Sequence, residues 1–340
     1  MKINRIRNCL GVVLLAVGTA AGAAQAQTPV SVADFQSTEH VLSREAIVYW
    51  MNAVNERIGD AVVFTHYPAQ QAAPAAELLD AARNGVVQVS FVGVPYNTDR
   101  LPLNSVVGLP GFYTSSAQGS AAIQEMTVNG PLRDEFLNEG VIPIFALGLP
   151  PYQILLSEGR VTLPEDWAGL NIRTGGTTQA LTARSLGAVG ISLPGPEVYS
   201  AVERGRVDGI LFPLSSVPGY NLQEVVAAIS TNGALGGYNI VLAANRDFFE
   251  TLPVEVQQAM LEAGRETSIH AARAMDDSIS ILIEEWTSAG IDVFQFTQEE
   301  LDATAEAVSS VQEEWVQRIS ERNPEAADVL DAYREAIAAH

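Results

Sequence analysis

The segment between residues 167 and 213 constrains the fold more than any other part of the chain. Its apolar residues 170–172 predict a short strand that delivers Arg173 to a Thr-Gly-Gly turn at 174–176, and a helical pattern follows over 177–186. Open α/β sheets bind ligands beyond such strand ends, where free backbone N–H groups and the helix dipole favour anions. The guanidinium of Arg173 can hold a carboxylate through two parallel bonds. A surface arginine paired with an acidic neighbour is the alternative interpretation.

Three motifs follow one another in this segment. They are Gly169-Leu170-Asn171-Ile172-Arg173, Leu186-Gly187-Ala188 and Glu197-Val198-Tyr199-Ser200-Ala201-Val202-Glu203-Arg204-Gly205-Arg206-Val207-Asp208-Gly209. In order and spacing they resemble the solute-binding subunits of TRAP transporters, the DctP-like family. The resemblance implies a receptor rather than an enzyme, with transporter membrane subunits, small and large, as its partners. It also implies that Arg173 binds the carboxylate of an organic acid.

The first 26 residues resemble a secretory signal peptide. Cationic residues precede an apolar stretch at 10–17, and Ala24-Gln25-Ala26 provides a small-residue cleavage site. We therefore expect export to the periplasm and removal of residues 1–26. This segment also holds Lys2 and Cys9, the only lysine and cysteine of the chain. Their loss excludes disulfides, thiolate nucleophiles and Schiff-base lysines from the mature protein.

The charge balance excludes a further class of partner. The chain has 40 acidic residues against 19 lysines and arginines, a formal net charge of −21. Nucleic acid is therefore not expected as a partner. After the signal segment no uninterrupted apolar stretch approaches about 18 residues, so we expect no membrane anchor.

The order of predicted elements indicates an α/β fold with two lobes and a ligand cleft between them. We expect lobe I to comprise residues 27–150 plus 239–278, and lobe II residues 151–238 plus 279–340. A helical pattern over 253–289 would be about 50 Å long if unbroken. The resemblance implies one long helix that spans both lobes.

Other elements are predicted from hydrophobic periodicity and turn residues. Strands are expected at 31–36, 62–67, 86–92, 141–147, 227–229 and 240–243, and helices at 44–58, 78–84, 116–139 with an interruption near 130, 298–322 and 324–340. The strand at 86–92 is apolar on both faces, as a central parallel strand would be. We interpret the strands at 227–229 and 240–243 as the return of the chain to the first lobe.

Three positions near the motif segment are candidates for ligand contact. Tyr152 and Gln153 lie about twenty residues before Arg173, where the resemblance implies a second arginine or polar residue. Phe212 follows the Val-Asp-Gly motif and is expected to form an apolar or aromatic wall, with core packing as the alternative. Neither a second arginine nor a metal-holding acid stands at these places.

Five further candidates come from loops and crossing points. His40 lies in the first loop, where the resemblance implies ligand contact, although a loop-capping or solvent-facing histidine is the alternative. Tyr96 and Asn97 follow the strand at 86–92, and Tyr238 and Asn239 stand at the return crossing. Rings at these places could stack on a planar ligand or simply pack the lobes together.

These residues favour a binding protein over an enzyme. The four histidines are too scattered for a metal motif, and neither a nucleophile elbow nor a dinucleotide loop occurs. We expect no metal and no cofactor, and an apolar or aromatic monocarboxylate as ligand. A C4-dicarboxylate, a 2-oxo or hydroxy acid and a sugar acid remain alternatives, as do an ABC-type periplasmic receptor and a secreted hydrolase.

Overall fold

The computed structural model describes residues 27–340, so the predicted signal peptide lies outside the described residues. Its strands are β1 Thr28–Ala33, β2 Val62–Tyr67, β3 Val89–Gly93, β4 Val141–Gly148, β5 Gln153–Leu156, β6 Asn171–Thr174, β7 Val189–Ser192, β8 Gly209–Phe212, β9 Ala228–Ser230, β10 Asn239–Asn245 and β11 Asp292–Phe294. Its α-helices are α1 Tyr49–Ile58, α2 Leu78–Arg83, α3 Ser116–Gln124, α4 Arg133–Asn138, α5 Thr177–Ser185, α6 Val198–Glu203, α7 Arg246–Thr251, α8 Val254–Ser288, α9 Gln298–Ala307, α10 Val311–Ser320 and α11 Ala326–Ala338. Short 3₁₀ and π-helical segments, among them Ser43–Val48 and Glu125–Asn129, connect or extend these helices.

The strands form two mixed sheets, one in each lobe, as the α/β prediction requires. The first has the order β2-β1-β3-β10-β4 and the second β11-β9-β5-β8-β6-β7. In the first sheet β1 runs parallel to β2 and β3, whereas β10 is antiparallel to both β3 and β4. β3 is therefore central and fully buried, but it is parallel to only one neighbour, because β10 enters from the other lobe in the opposite direction.

Two extended crossings join the lobes. The chain leaves the first sheet after β4 and returns through residues 231–238 into β10. These crossings hydrogen-bond to each other: Leu149 N donates to Tyr238 O at 2.9 Å, and Tyr152 N donates to Gly236 O at 2.9 Å. The strand predicted at 227–229 is β9, which pairs with β5 and β11 in the second sheet and does not return to the first.

Helix α8 spans both lobes with 35 residues, about 50 Å in length. Its first half packs closely on β4, since a Cβ at Gly264 would lie 2.8 Å from the Ile144 carbonyl oxygen. The hydroxyl of Ser268 donates to Ala146 O at 2.7 Å. Near the other end, Trp286 is buried in the core of the second lobe. One continuous helix thus contributes to both cores.

The C-terminal helices differ from the predicted division of lobes. β11 and α9 belong to the second lobe, but α10 and α11 return to the first, where Trp315 and Tyr333 share a core with Phe136 of α4. The indole N–H of Trp315 donates to Ser105 Oγ at 2.8 Å. The single helix predicted over 298–322 is therefore two helices, separated at residues 308–310, where neither glycine nor proline signals the break.

Among residues 27–340, none of the helices combines the length and the apolar character that crossing a bilayer requires.

Asp276 on α8 caps a helix of the first lobe. Its two carboxylate oxygens accept the backbone N–H groups of Ser116 and Ala117, each at 2.8 Å, at the start of α3. Both donors would otherwise lack a helical partner.

We predict that Asp276→Ala lowers the free energy of unfolding by about 1 to 2 kcal/mol, because the first turn of α3 loses its acceptor. The neighbouring, exposed Asp277→Ala is the matched control and should change stability by less than about 0.5 kcal/mol. Urea unfolding of both variants measures the difference. Equal stabilities would show that this cap contributes nothing.

Candidate functional site

A cavity lies between the lobes, beside the two crossings. It is lined from both lobes, and in this closed form its free volume is about 20 Å³, little more than one water molecule occupies. Within the described residues, no three His, Cys, Asp or Glu side chains are grouped as metal ligands would be.

Among the described residues, Arg173 is the only cationic side chain that lines this cavity, and it is 1% exposed. It stands on β6 next to β8, where Ile172 and Arg173 pair with Gly209 and Ile210. The Nε and Nη2 atoms donate to Leu193 O at 2.9 and 2.7 Å, and Nη1 donates to Leu211 O at 3.1 Å.

These bonds leave part of the guanidinium free. Arginine has five N–H groups, and three of those of Arg173 are used on backbone carbonyls. Within residues 27–340, no carboxylate approaches Arg173 within 4.0 Å. A buried cation without a counter-charge is costly to a folded protein. Arg173 is therefore a buried cation with no acidic partner among the described residues.

Aromatic rings form most of the wall around Arg173. Its guanidinium carbon lies 5.1 Å from the ring centroid of Phe212. Tyr152 and Tyr238 stack with centroids 6.1 Å apart, and Tyr96 meets Tyr238 edge to face at 5.7 Å. Burial raises the pKa of the Tyr152 phenol well above its ordinary value, against the opposing charge of Arg173, so the phenol keeps its proton. The wall around Arg173 is therefore mostly aromatic, and the Tyr152 phenol near the cation is uncharged.

His40 enters the cavity from the first lobe and is 1% exposed. Burial, together with the charge of Arg44, lowers the pKa of His40 to about 3, so the ring is neutral. Nδ1 accepts the backbone N–H of Leu42 at 3.1 Å, which places the ring proton on Nε2. The ring packs edge to face against Tyr220 of the second lobe at 5.0 Å. His40 is thus a buried donor and not a solvent-facing loop residue.

The Gly-Gly turn after β6 does not form the anion cradle expected from its pattern. The N–H of Gly175 donates to Gln179 Oε1 at 2.6 Å, and a Cβ at Gly176 would lie 2.7 Å from Pro95 of the first lobe. The small residues of this turn allow the two lobes to approach each other closely. The side chain that faces the cavity is that of Arg173, in the strand before the turn.

The structure brings six predicted candidates together around the cavity: Arg173, Phe212, Tyr152, Tyr238, His40 and Tyr96. Three do not line it. Gln153 accepts Ser230 Oγ and Gly233 N at 3.0 and 2.7 Å, Asn97 donates to Gly93 O at 3.3 Å, and Asn239 is fully buried in β10. Each follows a tyrosine that does line the cavity, and successive side chains of extended or tightly turning backbone point in different directions.

Several lining residues are absent from the predicted set. Gln36 follows β1, while Ser216 and Tyr220 lie in the loop after β8. Their location just after a strand could have identified them, because ligands of α/β sheets bind beyond the carboxyl ends of strands. Their residue types alone did not distinguish them from other loop residues.

The lobes are closed over the cavity. Gly195 N of the second lobe donates to the Tyr96 hydroxyl at 2.9 Å, and Thr178 Oγ1 donates to Ser105 O at 3.0 Å. Gln179 Nε2 donates to Gly237 O of the return crossing at 2.7 Å. These direct bonds across the seam have to break before a ligand can enter.

Solved structures share this architecture. A TRAP solute-binding protein from Rhodoferax ferrireducens, in complex with copurified benzoate, superposes with a TM-score of 0.87 at 22% identity, over 92% of this chain and 98% of that one. A protein from Bordetella bronchiseptica with bound (R)- and (S)-mandelate gives 0.83 at 23% identity, over 92% and 99% of the two chains. At these identities the likeness establishes the fold.

Sequence relatives and a family model agree with the structural match. A solute-binding protein of Albidiferax ferrireducens is 23% identical over 71% of this chain and 72% of its own length. The C4-dicarboxylate-binding periplasmic protein DctP of Rhodobacter capsulatus is 30% identical over 49% of this chain and 51% of its own. The model of bacterial extracellular solute-binding protein family 7, DctP, matches residues 32–318. The chain therefore belongs to this family, the solute-binding proteins of TRAP transporters.

Proposed function

We propose that this protein captures an aromatic monocarboxylic acid through Arg173 and delivers it to the membrane subunits of a TRAP transporter. The observation that carries the proposal is a guanidinium that is 1% exposed, lacks an acidic partner within the described residues and faces an aromatic cavity. The role is binding rather than catalysis, in keeping with the receptors of its family.

A ligand carboxylate would complete the environment of Arg173. The carboxylate supplies the missing negative charge. It can also accept hydrogen bonds from the Arg173 N–H groups that are not bonded to the carbonyl oxygens of Leu193 and Leu211. Because Arg173 is shielded from bulk water in the closed form, such a pair is stronger here than on the surface.

The composition of the wall favours an aromatic acid with one carboxylate. Once the lobes part, a planar ring can pack against the rings of Phe212, Tyr152 and Tyr238, which make tilted and stacked contacts with one another. A second carboxylate would meet no second cation, since within residues 27–340 Arg173 is the one cationic side chain in the lining. Two structural relatives hold benzoate and mandelate, which supports this class. Others hold β-D-galacturonate or pyroglutamate, so these acids belong in a binding screen.

Closure couples binding to transport in this proposal. Ligand contacts come from Tyr96 and His40 of the first lobe and from Arg173 and Phe212 of the second. Only the closed form makes both sets, so a ligand raises its population. DctP-family proteins are periplasmic, and residues 1–26 would direct this chain there.

We predict that Arg173→Ala weakens binding of the cognate acid at least about 100-fold, because the buried carboxylate loses its counter-charge. Isothermal titration of ligand-stripped protein with benzoate, 3-hydroxybenzoate, mandelate, pyroglutamate, galacturonate and succinate measures it. Arg206→Ala, an exposed arginine of the same lobe, is the control and should bind as the wild type does. Unchanged affinity in folded Arg173→Ala would refute the role of Arg173.

Stability should depend on the protonation of His40. Its pKa is about 3 in the folded chain against an ordinary 6.5, so below pH 6.5 the unfolded state binds a proton that the closed fold does not. The free energy of unfolding therefore falls as the pH drops from about 6.5 towards 3, by at most about 1.4 kcal/mol per pH unit from this group. Above about pH 6.5 its contribution is constant.

Urea unfolding between pH 7.5 and 5 tests this dependence by comparing slopes. The wild type should lose stability more steeply than His40→Gln, whereas His340→Gln, at the exposed end of the chain, should follow the wild type. Parallel curves for wild type and His40→Gln would contradict a neutral, buried His40.

A further inference from the structure

Besides the Tyr238 hydroxyl, three buried polar atoms in the wall of the cavity lack a hydrogen-bond partner among residues 27–340. They are Gln36 Oε1, His40 Nε2 and Ser216 Oγ, on residues that are 1%, 1% and 2% exposed. Each of these residues lines the cavity that also contains Arg173. Buried polar side-chain atoms are nearly always paired, and leaving one unpaired costs about 1 to 3 kcal/mol. Three in one cavity point to a polar group that the chain does not supply.

The hydrogen-bonding capacity of these atoms is complementary. His40 Nε2 carries the ring proton, because Nδ1 accepts from Leu42 N, and is therefore a donor. The amide oxygen of Gln36 is an acceptor, and the hydroxyl of Ser216 is both. The missing group must accept from one neighbour and donate to another.

These atoms are separate from the contact region of Arg173. The aromatic wall runs from Phe212, beside the guanidinium, to Tyr220 at 5.7 Å, and from Tyr220 to His40 at 5.0 Å. The charge of Arg173 opposes the rise in the pKa of Tyr152, Tyr220 and Tyr238, whereas Arg44 is the charge that acts on His40. A ligand whose carboxylate is held by Arg173 thus extends another part of itself along this wall.

We propose that the ligand carries a hydroxyl group besides its carboxylate, and that His40, Gln36 and Ser216 bind it. The inference rests on the function proposed above and narrows the ligand to a hydroxylated aromatic acid. The hydroxyl oxygen accepts from His40 Nε2–H, and its proton is donated to Gln36 Oε1 or Ser216 Oγ. A second carboxylate would oppose the amide oxygen of Gln36, and an ammonium group would oppose the N–H of His40.

This recognition depends on closure. His40 and Gln36 belong to the first lobe, whereas Ser216 belongs to the second. The His40 ring lies against Gly219 of the second lobe so closely that a Cβ there would overlap it. The hydroxyl site is therefore assembled only when the lobes close, and it selects between acids at that step.

Isothermal titration with matched pairs of acids tests the proposal. The pairs are 3-hydroxybenzoate with 3-methylbenzoate, 4-hydroxybenzoate with 4-methylbenzoate, and mandelate with phenylacetate. Each acid is titrated into ligand-stripped wild type and into the variants Gln36→Leu, Ser216→Ala and Ser215→Ala. The wild type should prefer the hydroxy acid of at least one pair by about 10- to 100-fold, as expected when a site leaves polar groups unpaired with the analogue. Gln36→Leu and Ser216→Ala should each reduce that ratio towards 1. Ser215, which is also buried and also has an unpaired hydroxyl but lies outside the lining, is the matched control, and Ser215→Ala should retain the ratio.

The outcomes separate this inference from the function on which it rests. If the wild type binds both acids of every pair equally and binding still depends on Arg173, the hydroxyl site is overturned but the proposed function is not. The three atoms would then be assigned to an ordered water. A preference that survives in both Gln36→Leu and Ser216→Ala would also overturn it. Failure of every acid to bind the wild type would overturn the proposed function as well.

Discussion

The candidate site is organised around one buried positive charge that no carboxylate of the described residues neutralises. Arg173 is buried to 1% exposure and is held by the carbonyl oxygens of Leu193 and Leu211. Dipoles of this kind fix the orientation of the guanidinium without neutralising it. The local cost is tolerated because the surrounding lobes are stabilised by extensive cores of their own. In the proposed function, the same arrangement would allow a chain with a formal net charge of −21 to bind an anion: the acidic surface would repel the ligand, and the attraction would be confined to the interior.

The architecture was predictable to the extent that each element carries its own periodic signal. The two buried strands β4 and β10, the long helix α8 and the strand that presents Arg173 all follow from apolar patterns and from the three motifs. The pairing of strands and the assignment of helices to lobes are not encoded locally. The antiparallel entry of β10, the membership of β9 in the second sheet and the return of α10 and α11 to the first lobe are set by contacts between distant segments. No local pattern encodes these contacts.

The candidate site shows the same division at the level of single residues. Tyr152, Tyr238 and Tyr96 line the cavity, whereas their neighbours Gln153, Asn239 and Asn97 do not. The sequence located each crossing correctly but could not specify which of two adjacent side chains faces the cleft, because that depends on the pleat of the backbone. Gln36, Ser216 and Tyr220 were not predicted, because only their location in the fold, and not their residue type, places them at the cavity.

The link between α9 and α10 sets a limit on the amplitude of domain motion. After α9 the chain passes from the second lobe back to the first through the three residues 308–310, which extend to about 10 Å at most. Together with the paired crossings and α8, this short tether restricts how far the ends of α9 and α10 can move apart. Any opening of the lobes therefore has to bend these connections.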